Sequence, residues 1–252
     1  MDPLFIFFGF FFCLGYAGTF CGLVQTQKKL IQMFCGVSPV LNFDVMKYGK
    51  RVLLLHVLLS RVAYRARTPS PELRFFSSKH TEAIAFGLSP QSSFILLSSA
   101  CVEKLSTSEC ETIFAHELGH LILRHRCKSF LVYSCLGGFR LSFFSCMFLL
   151  FLMLIESIPA SYLSQLVIVA LICIVCKACT FLIWRYMARK SEFQADMFAA
   201  KLLFSRDGLI SLLLKIENEE AIRISQNTVI GKLLQTHPPI KERIKNIQTM
   251  TF

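Results

Sequence analysis

Charged residues are scarce in this chain of 252 residues: Asp, Glu, Lys and Arg make up 17%, against 54% hydrophobic residues. An ordinary soluble domain carries about 25% charged and about 45–50% apolar residues. The shortage excludes a purely soluble protein, a disordered one and a basic protein that coats nucleic acid. There is no internal repeat, and no low-complexity tract beyond a Phe-rich start, so solenoid and linker architectures are excluded as well. Cysteines placed for a disulfide framework are also missing. The eleven lie singly or inside apolar runs, as at Cys13, Cys21, Cys135 and Cys146. An odd count in such settings reads as reduced thiols acting as small apolar side chains. Cys173, Cys176 and Cys179 have metal-like spacing but sit in an apolar run with no fourth ligand, which argues against a zinc site there.

What is present is a set of long apolar segments. Residues 3–24 (PLFIFFGFFFCLGYAGTFCGLV) hold no charge over 22 positions, more than the roughly 20 needed to cross a bilayer. With only Asp2 before it and Lys28 and Lys29 after it, the segment reads as a retained anchor rather than a cleaved signal. Two further apolar stretches, 141–155 and 166–184, are separated by ESIPASYLSQ and predict a helical hairpin. No Lys or Arg falls before residue 25 or in the 156–165 link. That asymmetry is the positive-inside pattern, and it places both long polar segments in the cytoplasm. The net charge of +11 is therefore a topology signal, with attraction to anionic lipid as a secondary effect, and it calls for no nucleic-acid partner. Lys177, inside the last apolar stretch, either marks an intramembrane functional site or snorkels to the interface about 11 Å away, with snorkelling preferred.

The expected organisation is an anchor at 1–24, a first polar part at 25–140, a transmembrane hairpin at 141–184 and a second polar part at 185–252. Residues 44–67 predict a basic amphipathic helix suited to a membrane surface, ended by the prolines of TPSPE. Leu73–Ser77, Ala83–Phe86 and Phe94–Ser98 predict short strands, with Gly87 and Pro90 turning the chain between the last two. Ser106 with Glu109, or Ser108 with Glu111, fits a capping box that starts a helix running to about Cys127. Helices are also expected at 188–204, 207–222 and 239–248. The fold class is α+β and mainly helical: an integral membrane protein whose polar parts combine helices with a small antiparallel sheet.

His116-Glu117-Leu118-Gly119-His120 carries the chemistry. Imidazoles four residues apart on a helix lie about 40° apart around its axis and one turn along it, so both can bind one zinc ion. Glu117 projects beside them, placed to take a proton from water activated by the metal. Chance produces this pattern roughly once in 150 chains of such composition. His125 follows on the same helix without a motif and reads as a basic-face residue; His56 and His80 read as structural. Two histidines leave zinc short of a ligand, and Glu192, in Ser191–Asp196, is the best candidate for the third. Asp196, four residues further on, would accept a hydrogen bond from the outer nitrogen of a zinc-bound histidine. Alone, this carboxylate pair would be an ordinary solvated helix face. The hairpin, however, returns it to the side where His116 and His120 already stand.

HELGH, RKSEFQAD (Arg189–Asp196) and THPPIKERI (Thr236–Ile244) together resemble the HtpX-type membrane zinc endopeptidases, a gluzincin family that includes the type 1 CAAX prenyl proteases. The resemblance covers about 71–128 and 185–248. It implies a zincin-like catalytic domain built from the HExxH helix and the small antiparallel sheet, with one Zn2+ per chain held by His116, His120 and Glu192, Glu117 as general base and acid, and Asp196 supporting a ligand. It implies that His237 helps stabilise the oxyanion of the tetrahedral intermediate, and that Arg243 holds its loop in place. An edge strand, here Ala83–Phe86, would pair with extended substrate. A chain this short cannot build the many-span chamber of the CAAX enzymes, so prenyl-substrate specificity is not carried over. The expected activity is peptide-bond hydrolysis at the cytoplasmic face, with protein or peptide substrates, notably misfolded or damaged membrane proteins. The expected location is multi-pass in the lipid bilayer, the inner membrane if the source is bacterial. Two alternatives stand beside it: a catalytically inactive scaffold of the same fold, and a site-2-type intramembrane protease. The charges at Glu109, Glu111, Arg124, Arg126 and Lys128 around the motif speak against the second.

Overall fold

The computed structural model describes residues 3–36, 40–41, 45–88, 91, 93–155, 159–224 and 238–250. Within these, the chain divides into two compact units, one of Met1–Lys28 and Cys127–Met187, the other of Lys29–Arg126 and Ala188–Phe252. The chain is mostly helical. The helices are α1 (Pro3–Gly36), α2 (Val45–Arg65), α3 (Ser99–Lys104), α4 (Thr107–Ile122), α5 (His125–Leu154), α6 (Leu163–Leu203), α7 (Asp207–Ile224) and α8 (Ile240–Thr249). The strands are β1 (Val40–Leu41), β2 (Glu72–Phe76), β3 (Ala83–Phe86) and β4 (Phe94–Ser98).

The first unit holds the apolar segments. Ile6–Thr26, His125–Leu154 and Leu163–Leu203 are helices long and apolar enough to cross a membrane. The apolar run expected at 141–155 is the end of a 30-residue helix that begins at His125. α5 and α6 meet around Cys146, Leu166, Val169, Ala170 and Cys173. α1 crosses α5 closely: a Cβ on Gly137 would lie 1.8 Å from Thr19 Oγ1 and one on Gly15 would lie 2.6 Å from Gly137 O. Glycine at these positions lets the backbones touch, which is how helices gain packing energy where lipid supplies no hydrophobic drive.

In the second unit a four-stranded sheet has the order β1-β2-β4-β3. β3 and β4 are antiparallel, as the Gly87 turn (φ 133°) requires, but β1 pairs with β2, and β2 with β4, in parallel. The sheet is thus mixed rather than antiparallel. All five residues of β4 are buried, whereas β3 is only partly so. A strand apolar on both faces takes the centre of a sheet, which leaves β3 on the edge and brings β2 alongside β4. α2 turns Leu55, Leu59 and Val62 into the core shared with Phe114 and Leu118 of α4. Its apolar face therefore serves the core, while Leu53, Val57 and Tyr64 remain exposed on the other side.

α4 begins as its sequence predicts. Ser106 and Glu109 form a reciprocal capping box. α4 ends earlier than the expected Cys127: Leu123 N–H donates to Gly119 O, Arg124 N–H to Leu121 O, and Arg124 takes a left-handed conformation (φ 53°). α5 then starts at His125. α6, in contrast, is continuous through 41 residues, so the expected separate helix at 188–204 is the end of the last apolar helix.

Glu109 links α4 to α7, accepting from Ser211 Oγ at 2.7 Å and pairing with Lys215 Nζ at 2.7 Å. Burial pushes its carboxyl up, but the bonds from Lys215, Ser211 and Ser106 win and hold it at about 2, below its ordinary 4.5. A depressed carboxyl stabilises the fold above its unfolded value, and that contribution is lost as pH falls toward the folded one. Glu109→Ala is expected to cost about 1–3 kcal/mol at neutral pH through the lost cap and the stranded partners. The difference from wild type should shrink from pH 4.5 towards pH 2. Thermal melts of the detergent-solubilised proteins across that range measure it.

Candidate metal centre and its surroundings

Two helices bring the expected ligands together. α4 carries His116 and His120 one turn apart, and the last turns of α6 carry Glu192 and Asp196. They pack closely because residue 119 has no side chain: a Cβ on Gly119 would sit 3.3 Å from Ala195 Cα and 3.1 Å from Phe198 Cδ1. His116 Nε2 and His120 Nε2 are 3.1 Å apart, and each lies 3.6 Å from a Glu192 carboxylate oxygen. One donor atom from each of the three residues falls within 4.8 Å of the others. This two-imidazole, one-carboxylate set fits a catalytic zinc site that keeps a fourth position open.

Both imidazoles are oriented from behind. His116 Nδ1 lies 3.0 Å from Asp196 Oδ1, which directs its Nε2 towards the shared point. Asp196 is fully buried, and Arg243 of α8 grips it with two bonds, Nε to Oδ2 at 2.8 Å and Nη2 to Oδ1 at 2.6 Å. Arg243 Nη1 also approaches Glu192 Oε2 at 3.4 Å. Arg243 thus acts on the two carboxylates directly, a closer role than holding a loop. His237 lies outside the described residues.

His120 is held by a residue that helical spacing hides. His125 is buried; its Nδ1 lies 3.0 Å from His120 Nδ1 and its Nε2 lies 3.1 Å from Gln194 Oε1. The Gln194 oxygen only accepts, so His125 Nε2 donates to it and His125 Nδ1 is left to accept from His120 Nδ1–H. That relay turns the lone pair of His120 Nε2 towards Glu192. On an unbroken helix five residues amount to about 500°, which would set His125 some 140° from His120. The break at Arg124 overturns the basic-face expectation for His125. Nothing in the sequence marks it, because no glycine stands at the left-handed position.

Glu117 is buried beside this cluster, and its Oε2 accepts from Ala85 N–H on β3 at 2.7 Å. Arg126 Nη2 donates to Ala85 O at 2.9 Å, with its guanidinium 5.1 Å from the Phe86 ring centroid. Both polar groups of Ala85 therefore face away from β4, on the open edge of the sheet. Arg126 is a second site residue that spacing misses.

The electrostatics follow from burial and pairing. Burial alone draws His116 down, but Asp196 and Glu192 outweigh it and lift it to about 10. His120 is pushed down to about 3 by burial and the neighbouring His116 charge. Burial raises the Glu117 carboxyl despite His116 and the Ala85 bond. Burial also opposes ionisation of Asp196, yet Arg243 and His116 hold it below its ordinary value. Burial thus raises one carboxyl of the cluster, Glu117, while ion pairing lowers another, Asp196, a divergence that is enriched at functional sites.

The chain is similar to known membrane proteases. The family model described as Peptidase family M48 matches residues 50–251. Protease HtpX of Legionella pneumophila is 26% identical over 257 residues, covering 90% of each chain. An HtpX homolog of Methanocaldococcus jannaschii is 25% identical, covering 82% of this chain and 80% of its own. One from Helicobacter pylori is 27% identical over 77% of this chain, which spans only 65% of that relative's length. The crystal structure of S. mikatae Ste24p superposes with a TM-score of 0.52 at 18% identity, covering 98% of this chain and 66% of that one, and shows a shared fold. The chain belongs to peptidase family M48 and, within it, is similar to the HtpX proteins.

Proposed function

We propose that this chain is a membrane-anchored zinc endopeptidase that hydrolyses peptide bonds at the cytoplasmic face of the membrane, acting on misfolded or damaged membrane proteins. The observation that carries the reading is the convergence of His116 Nε2, His120 Nε2 and the Glu192 carboxylate beside Glu117. His116, His120 and Glu192 are the proposed metal ligands, and Asp196, Arg243, His125 and Gln194 orient them. Zinc held there would lower the pKa of water to about 7 and polarise the scissile carbonyl. Among the described residues three helices are long and apolar enough to span a bilayer, and the HELGH helix is not one of them, which favours a surface protease over an intramembrane one. The family resemblance and the absence of Lys and Arg before residue 25 and from 156–165 support the cytoplasmic side.

Glu117 is the proposed base and acid. It takes a proton from the attacking water and later passes it to the leaving amine, a task suited to a carboxyl raised by burial. His237 is proposed to donate to the developing oxyanion, on the strength of the Thr-His-Pro resemblance. Extended substrate would pair with the open edge of β3. Because Ala85 already bonds to Glu117 and Arg126, a substrate strand must take those two groups over. In this reading substrate docking releases the Glu117 carboxylate for catalysis, so the base is freed only when a peptide is in place.

Cleavage of a model membrane protein should fall by about 10²–10⁴-fold in Glu117→Gln, with zinc content unchanged and wild-type activity lost to a chelator. Turnover that survives the substitution contradicts the mechanism. His125→Ala and Asp196→Asn should each weaken zinc binding by about 10–100-fold with helical content retained, measured by competition with a chelating dye and by circular dichroism. Unchanged affinity in both would remove the proposed orienting roles. Absence of stoichiometric zinc in the purified protein would instead favour an inactive scaffold.

A further inference from the structure

The first unit contains a groove of about 880 Å³, lined by residues of α1, α5 and α6. Its walls are mainly apolar, including Leu14, Leu136, Leu141, Phe144 and Ile174, yet Arg140 and Lys177 also line it. The described residues of this unit include no Asp or Glu. Two cations therefore open onto one apolar groove with no carboxylate among the described residues of their unit.

Their depth matches. Arg140 stands fourteen residues before the end of α5 at Leu154, and Lys177 fourteen residues after the start of α6 at Leu163. At the helical rise each is about 21 Å from the hairpin's turn. Seven residues further towards the polar ends, Tyr133 and Trp184 pack edge to face with centroids 5.9 Å apart. That aromatic pair lies about 31 Å from the turn, one hydrocarbon thickness away and at the level where Tyr and Trp favour the headgroups. The cations thus sit about 10 Å inside the interface, where their flexible stems carry the charge towards it. Basic side chains inside a membrane are costly unless paired or hydrated. Those on neighbouring helices at one level, above a groove of acyl-chain character, suit one shared anion.

We propose that this groove binds one anionic phospholipid, its phosphodiester held between Arg140 and Lys177 and its acyl chains laid along the apolar walls. The close approach of α1 to α5 at Gly15 and Gly137 forms the floor, and the lipid would fasten the anchor helix to the hairpin. The site is separate from the metal centre, and its occupancy does not depend on proteolysis.

Native mass spectrometry of the full chain in mild detergent tests this, with phosphatidylglycerol or phosphatidylcholine added at about 0.15 M salt. Wild-type protein should retain a single phosphatidylglycerol at least about tenfold more strongly than phosphatidylcholine. Arg140→Gln with Lys177→Gln should reduce that retention on the order of 30-fold, while Lys190→Gln with Lys201→Gln should leave it unchanged. Equal retention of both lipids by the wild type overturns the proposal whatever the variants do. Wild-type retention by the Arg140/Lys177 variant overturns it too. A site that takes up a hydrophobic peptide ending in a free carboxylate in preference to phosphatidylglycerol assigns the cations to peptide instead, and likewise rejects the lipid.

Discussion

The buried carboxylate of Asp196 is the group around which the rest of the second unit is arranged. A fully desolvated charge is tolerable only when paired and hydrogen-bonded on all sides. Here the partners come from two different helices, His116 on α4 and both arms of the Arg243 guanidinium on α8. Removing either would leave the other charges stranded, so the contact fixes three helices at once. It also fixes chemistry. With Asp196 behind its outer nitrogen, His116 presents Nε2 where His120 and Glu192 already converge, and Glu117 on the same helix is left facing the edge of β3.

The lower half of α6 delivers Glu192 and Asp196, and the upper half is the last apolar span. One continuous helix therefore carries both the last apolar segment and the carboxylates of the candidate metal centre. This accounts for a hairpin placed between the two sequence halves of the second unit: it separates HELGH from SEFQAD in sequence while letting both belong to one compact body. Gly119 is the small residue that lets α4 and α6 close on each other.

Much of this was legible from residue types and spacing. The apolar segments, the strand segments, the Ser106–Glu109 cap and the α4/α6 ligand pairs all rest on short-range patterns that tertiary packing reinforced. The mixed sheet was less accessible, since strand order depends on which strand is buried on both faces, and β4 wins that position only in the folded unit. His125 departs from the sequence pattern for a sharper reason. The helix breaks at Arg124, a non-glycine residue in a left-handed conformation, and helical periodicity carried across that break points the imidazole the wrong way. Arg126 and Gln194 escaped notice because their partners, Ala85 O and His125 Nε2, are distant in sequence.

The proposed zinc site draws two imidazoles from α4 and one carboxylate from α6. X-ray absorption at the zinc edge, on the full chain loaded with one equivalent of metal, reads that ligand set directly. The account predicts a first shell of nitrogen and oxygen at about 2.0–2.2 Å, with outer-shell scattering from two imidazoles. A sulfur shell near 2.3 Å, or scattering from a single imidazole, would contradict it.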